Sequence, residues 1–163
     1  MSGFVNPASP NITDYTTFVY GTPQAPTGLP IPTSALPTNS PYLGYSFNVA
    51  MDIVYPLMGC ISALLYCLAV YNLGLDRLIN FCPDQVGQTY FATLRAGAPN
   101  GYGIYSFVPG VVTAASDEST ASTITAPDFM KNLTLSNLQN LKTPFGIQYL
   151  SIMQDTGTLW GVS

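Results

Sequence analysis

Residues 53–75 run for 23 positions without a charged side chain, between Asp52 and Asp76. Their centre reads LMGCISALLYCLAVYNLGL. A run of that length can cross about 30 Å of hydrocarbon, so the chain must place it in lipid or enclose it in protein. Three features favour enclosure. Pro56 splits the run. Ser62, Tyr66, Tyr71 and Asn72 dilute it, and Asn72 would need a polar partner in lipid. The flanks lack a Lys/Arg asymmetry, because Arg77 is offset by Asp76, and Trp160 lies far away. A helix apolar on most faces is otherwise enclosed on most faces. Here the enclosure is expected from its own domain and from neighbouring subunits.

Composition points the same way. The 163 residues fit one domain with appendages. Eight acidic and four basic residues make up 7% of the chain, against about 25% in an average soluble domain. A surface so poor in charge suits an obligate assembly, or a membrane, better than a free monomer. The net charge is −4, and Arg77, Arg95, Lys131 and Lys142 are scattered. Gripping nucleic acid needs clustered cations and is not expected. An acidic protein can still surround DNA without holding it. Cys60, Cys67 and Cys82 read as small buried hydrophobes in a reducing cytoplasm. The first ten residues, MSGFVNPASP, lack the basic segment and apolar run of a signal peptide. The Asn11 and Asn132 sequons are therefore read as chance matches.

The fold expected is mainly α: a small helical bundle with an inserted β-hairpin and extended N- and C-terminal arms. Residues 1–40 form a Pro-rich arm, since eight of the fourteen prolines fall within residues 1–41. A short helix or turn is expected near residues 13–20. Leu29, Ile31 and Leu36 are apolar anchors for an arm that lies over a neighbouring surface. Ser40 as N-cap and Pro41 at the first position start a helix that runs to about Tyr55. Its stripe is Leu43, Phe47, Ala50, Met51 and Val54. A second helix covers residues 58–81, with a broad apolar stripe that includes Ile61 and Leu64. Cys60, Cys67 and Gly74 form a small-residue face that admits another backbone. Residues 88–95 make a short helix, followed by a loop. Residues 111–115 and 120–126 read as a hairpin at about 110–126, with Asp117 and Glu118 at its tip. A short helix at 135–142, capped by Thr134, precedes one that starts at Thr143 and Pro144 and stops at Gly157. That helix buries Phe145, Tyr149, Ile152 and Met153. The tail TLWGVS, with the only Trp, is expected to dock.

No catalytic, cofactor or metal site is expected. Without His, Ser and Cys nucleophiles lack their usual base, and no zinc set can be completed. Asp117 and Glu118 are read as a solvated turn rather than a carboxylate pair. GAPNGYG lacks the Gly-Lys-Ser/Thr end of a phosphate loop.

The order of parts resembles the head–tail connector (adaptor) proteins of tailed bacteriophages. The matching stretches are AVYNLGLDRLIN at 69–80, GVVTAA at 110–115, and the Thr-Pro-Phe-Gly helix with Thr143, Pro144, Phe145, Gly146, Tyr149 and Leu150. The likeness covers about residues 40–163. The Pro-rich arm and the RAGAPNGYG loop depart from the family pattern. The resemblance implies a non-enzymatic virion protein of the neck, a homo-oligomeric ring commonly of twelve subunits. It would join the portal to the tail or to the next neck ring, while double-stranded DNA passes without specific binding. Implied subunit contacts are Val111, Val112, Thr123 and Ile124 in the hairpin and Leu159 and Trp160 in the tail, with packing inside the domain as the other reading. The rival readings are a small membrane-spanning, holin-like protein and another virion ring such as a tail terminator.

Overall fold

The uncharged run does not form one helix. α1 spans Ile12–Gly21, α2 Pro41–Ile53, α3 Met58–Ile61, α4 Ala63–Phe81, α5 Tyr90–Arg95, and α6 Pro144–Asp155. This computed structural model describes residues 4–24, 28–97, 101–105, 114–117, 120–123 and 139–157. α2 stops at Ile53, two residues earlier than expected, where Val54 turns extended and its N–H closes on the Ala50 carbonyl. The helix expected over 58–81 is interrupted at Ser62. That residue is extended (φ −155°, ψ 113°), and its hydroxyl accepts from the Leu65 N–H, starting α4 afresh. A serine that can cap a helix competes with its own helical conformation, and here the cap wins.

α4 is the axis of the fold, and α1, α2, α3, α5 and α6 all pack on it. Twelve of its nineteen residues are buried, among them every residue from 69 to 76. The enclosure of this middle portion comes from the chain itself. Asn72, awkward in any apolar setting, donates back to the Leu68 carbonyl at 2.8 Å, so it needs no outside partner. The first half of the run stays largely open: Ile61 and Leu64, expected in the buried stripe, are exposed, and so is Phe81 at the end of α4.

The N-terminal segment supplies much of this cover. Asn11 caps α1 by accepting from the Asp14 N–H at 2.8 Å. The Asp14 carboxylate in turn accepts from the Val5 and Asn6 N–H groups and from the Asn11 amide. Tyr71 gathers Phe4, Tyr15 and Phe18 about its ring, with centroids 5.1–5.9 Å away. Tyr15 also donates to or accepts from Ser46 of α2 at 2.7 Å. Gly74, expected to admit a second backbone, instead receives the Tyr15 ring: a Cβ there would lie 2.9 Å from Tyr15 Cε2. Cys67, one heptad earlier, points its thiol at the Pro7 carbonyl at 3.5 Å. The Pro-rich arm thus folds on its own helices. Ile31 and Leu36 are buried, with the Tyr20 hydroxyl bonded to the Leu36 carbonyl, whereas Leu29 is exposed. Cys60 is exposed too, unlike its two buried counterparts.

α5 is pinned to the end of α4 by charge. Asp84 accepts from the Phe91 and Ala92 N–H groups, the open donors of a helix start. Arg95 donates to the Ile79 and Cys82 carbonyls, the open acceptors of a helix end. Between α5 and α6, β1 (Ala114–Asp117) and β2 (Thr120–Thr123) pair antiparallel, with Ala114 opposite Thr123 and Asp117 opposite Thr120. The helix expected at 135–142 falls mostly outside the described residues. Ser40 occupies the N-cap position of α2, but its buried hydroxyl makes no cap bond. Among the described residues, no helix is long and apolar enough to cross a membrane.

Two glycines test this packing in opposite directions. Gly74→Val should lower stability to urea by about 1–3 kcal/mol, the cost of overpacking a filled site. Gly44, mid-helix in α2 with nothing within 4 Å of an added Cβ, should accept Ala with a gain of about 0.5–1 kcal/mol.

Candidate assembly surface

Two places in the described structure differ from an ordinary small helical domain: an exposed apolar face on α2, and a buried polar junction where α6 meets α4. Tyr45, Val49 and Ile53 recur every four residues and line one side of α2. They are 65%, 44% and 46% exposed. The opposite side of the same helix buries Leu43, Ser46 and Ala50 against the core. Phe81, 70% exposed, faces Tyr45 and Val49 across a groove between α2 and the end of α4. The groove encloses about 300 Å³, with Leu78 and Cys82 in its lining and Arg77 contributing the only charge among the described residues. Tyr55, Leu57, Ile61 and Leu64, before, within and just after α3, are exposed as well. Isolated exposed hydrophobes are ordinary, but a contiguous apolar patch marks a contact site.

Few charges guard this face, because most of those among the described side chains engage groups within the fold. Asp14 and Asp84 serve backbone donors, and Arg95 and Lys142 serve backbone carbonyls. Arg77 pairs with Asp76 at 3.8 Å. Among the described side chains, Asp52 and Asp155 are the exposed acids.

The Thr-Pro-Phe-Gly motif lies at the second place, where it fastens α6 to α4. Thr143 is the N-cap of α6: its hydroxyl oxygen accepts from the Gly146 N–H at 3.0 Å and its proton goes to Asp76 of α4. Pro144 takes the first helical position, where no N–H is needed. A Cβ on Gly146 would sit 2.0 Å from the Asn140 carbonyl oxygen, so only glycine lets the preceding turn cross here. Phe145, Tyr149 and Leu150 are buried with the core. Alongside, Gln139 donates to Asn80 at 3.0 Å, and Asn80 donates to the Asp76 carbonyl. Burial pushes the Asp76 carboxyl up to about 6, although the Thr143 hydroxyl, the Arg77 charge and Asn80 all pull it down.

Of the residues expected at subunit contacts, Thr123 ends β2 opposite Ala114. Val111, Val112, Ile124, Leu159 and Trp160 lie outside the described residues. The α2 face was missed in the sequence because one stripe, Leu43 to Val54, already satisfied the helical period. The second stripe, Tyr45, Val49 and Ile53, was the available signal. Asp76 was read only as a flank of the apolar run. Among the described residues, no group of three or more His, Cys, Asp or Glu could hold a metal ion.

Asp76 gives a pH test. Its folded value of about 6 exceeds the unfolded ~3.9. The folded state therefore binds the proton more tightly, and this group's contribution to stability is full below pH ~4 and lost as pH rises through about 6. Two units correspond to roughly 3 kcal/mol. Unfolding free energies of wild type and Asp76→Asn, measured from pH 4 to 7.5, should differ by a term that moves in the variant's favour across that window. Thr143→Ala, which removes the cap and the donor to Asp76, should cost about 2–4 kcal/mol at pH 7. Comparison of the chain with family models, with curated proteins and with solved structures returns no match.

Proposed function

We propose that the protein is a non-enzymatic structural subunit of a tailed-phage neck. In this reading copies form a closed ring, commonly of twelve, between the capsid portal and the tail or the next neck ring. DNA passes through the middle without being held. The observation that carries the proposal is the exposed apolar face of α2 with the α2–α4 groove, on a chain whose charges, among the described side chains, are mostly engaged within the fold. Such a face has a use when a sister copy covers it, because obligate contacts resemble a domain core. Head-to-tail contacts that rotate to closure generate rings. The resemblance of 69–80, 110–115 and the Thr143–Gly146 helix start to connector proteins supplies the place in the virion. The hairpin and the terminal arms are the finer part of the same proposal: they are read as elements that reach a neighbour or the next ring. A net charge of −4 would keep phosphate from sticking to the lumen.

Light scattering with electron microscopy of the purified full-length chain tests this. The expected result is a single annular oligomer that needs no detergent and that Tyr45→Lys with Val49→Lys converts to monomer. A stable monomer in dilute buffer at every concentration, or partition of the chain into lipid vesicles, would overturn the reading.

A further inference from the structure

The α2–α4 groove has the chemistry of a receptor for a short apolar segment with an aromatic anchor. Two exposed rings, Tyr45 and Phe81, line it together with Val49 and Leu78. Arg77, held beside Asp76 at 3.8 Å, adds one cation to an otherwise uncharged lining. Among aromatic side chains, an indole makes the strongest cation–π partner for a guanidinium. The volume of about 300 Å³ lies at the small end of the range for ligand sites, enough for one or two large side chains and too little for a helix. The chain itself carries a segment of that description. Residues 158–163, TLWGVS, follow α6, contain no charge, and hold the only Trp of the protein with Leu159 beside it. Gly157 has φ +71° and turns the backbone off the α6 axis immediately before them.

We propose that the groove between α2 and α4 of one copy receives Leu159 and Trp160 of a neighbouring copy. The proposal rests on the ring reading above and deepens it by naming both halves of a contact. A segment on one copy and a groove on the next are different surfaces, so the contact is head-to-tail and can repeat around a ring. A buried Trp among aromatic and Arg partners is the kind of residue that dominates an interface.

Because Trp160 is the only Trp, its fluorescence reports the contact directly. In full-length wild type the emission should be blue-shifted and shielded from acrylamide at concentrations where light scattering finds an oligomer. It should move red, with several-fold stronger quenching, on dilution to monomer. Val49→Glu and Tyr45→Glu, both at exposed positions and checked by circular dichroism, should emit red at every concentration. A Trp160→Ala chain has no Trp emission but keeps its groove, so adding it should return the Val49→Glu emission, excited at the Trp-selective red edge, to blue. Blue emission that persists in the diluted monomer would mean that the tail fills its own groove, and would overturn the proposal. A red-emitting Trp160 within a well-formed oligomer would overturn it while leaving the ring reading intact. A chain that stays monomeric throughout would remove the ring reading and this contact with it.

Discussion

Enclosure of α4 by its own chain is the constraint on which the other elements depend. The helix buries twelve of nineteen residues, and each neighbour is fixed to it by a specific device. Tyr15 enters the space left by Gly74. Thr143 joins the α6 cap to Asp76. Arg95 binds the carbonyls at the helix end. Residues 4–24 then close the remaining side through Asp14 and the rings around Tyr71. An apolar run long enough to resemble a span is thereby dissolved into a broken helix with a proline-rich wrapping.

The same arrangement explains the surface. A chain with 7% charged residues has few ions for solubility, and this fold uses most of those described as internal ties. Asp14, Asp76, Asp84, Arg95 and Lys142 all engage groups within the chain. The outer face of α2 is left with Tyr45, Val49 and Ile53, relieved by Asp52 alone. Electrostatic repulsion between copies is weak on such a face, and apolar area is available to be covered. The internal ties of the fold and the bareness of the outer α2 face are consequences of one allocation of charge.

Local punctuation was the legible part of the sequence. Thr143 and Pro144 announced α6, because cap and first-turn chemistry is nearly independent of what packs later; α2 was announced by Pro41 at its first position, with Ser40 before it but making no cap bond. The mainly helical class followed from the apolar periods. Three things were not legible for physical reasons. Ser62 sits in a run that is helical by pattern, and only the turn at Pro56 and the packing of α3 decide that it caps. Gly74 and Gly146 looked like spare small residues or motif letters. Their need for no side chain comes from Tyr15 and the Asn140 carbonyl, partners distant or oblique in sequence. Asp76 read as a boundary charge, yet it is buried, and the hydroxyl that donates to one of its oxygens lies 67 residues away.

Hydrogen exchange by mass spectrometry, at low and high protein concentration, tests the central claim most directly. If the chain encloses its own long helix, amides of residues 67–80 will be the slowest to exchange at both concentrations, while protection across α2 rises as copies associate. Fast exchange over residues 67–80 in dilute solution, with protection gained only on association, would contradict the account.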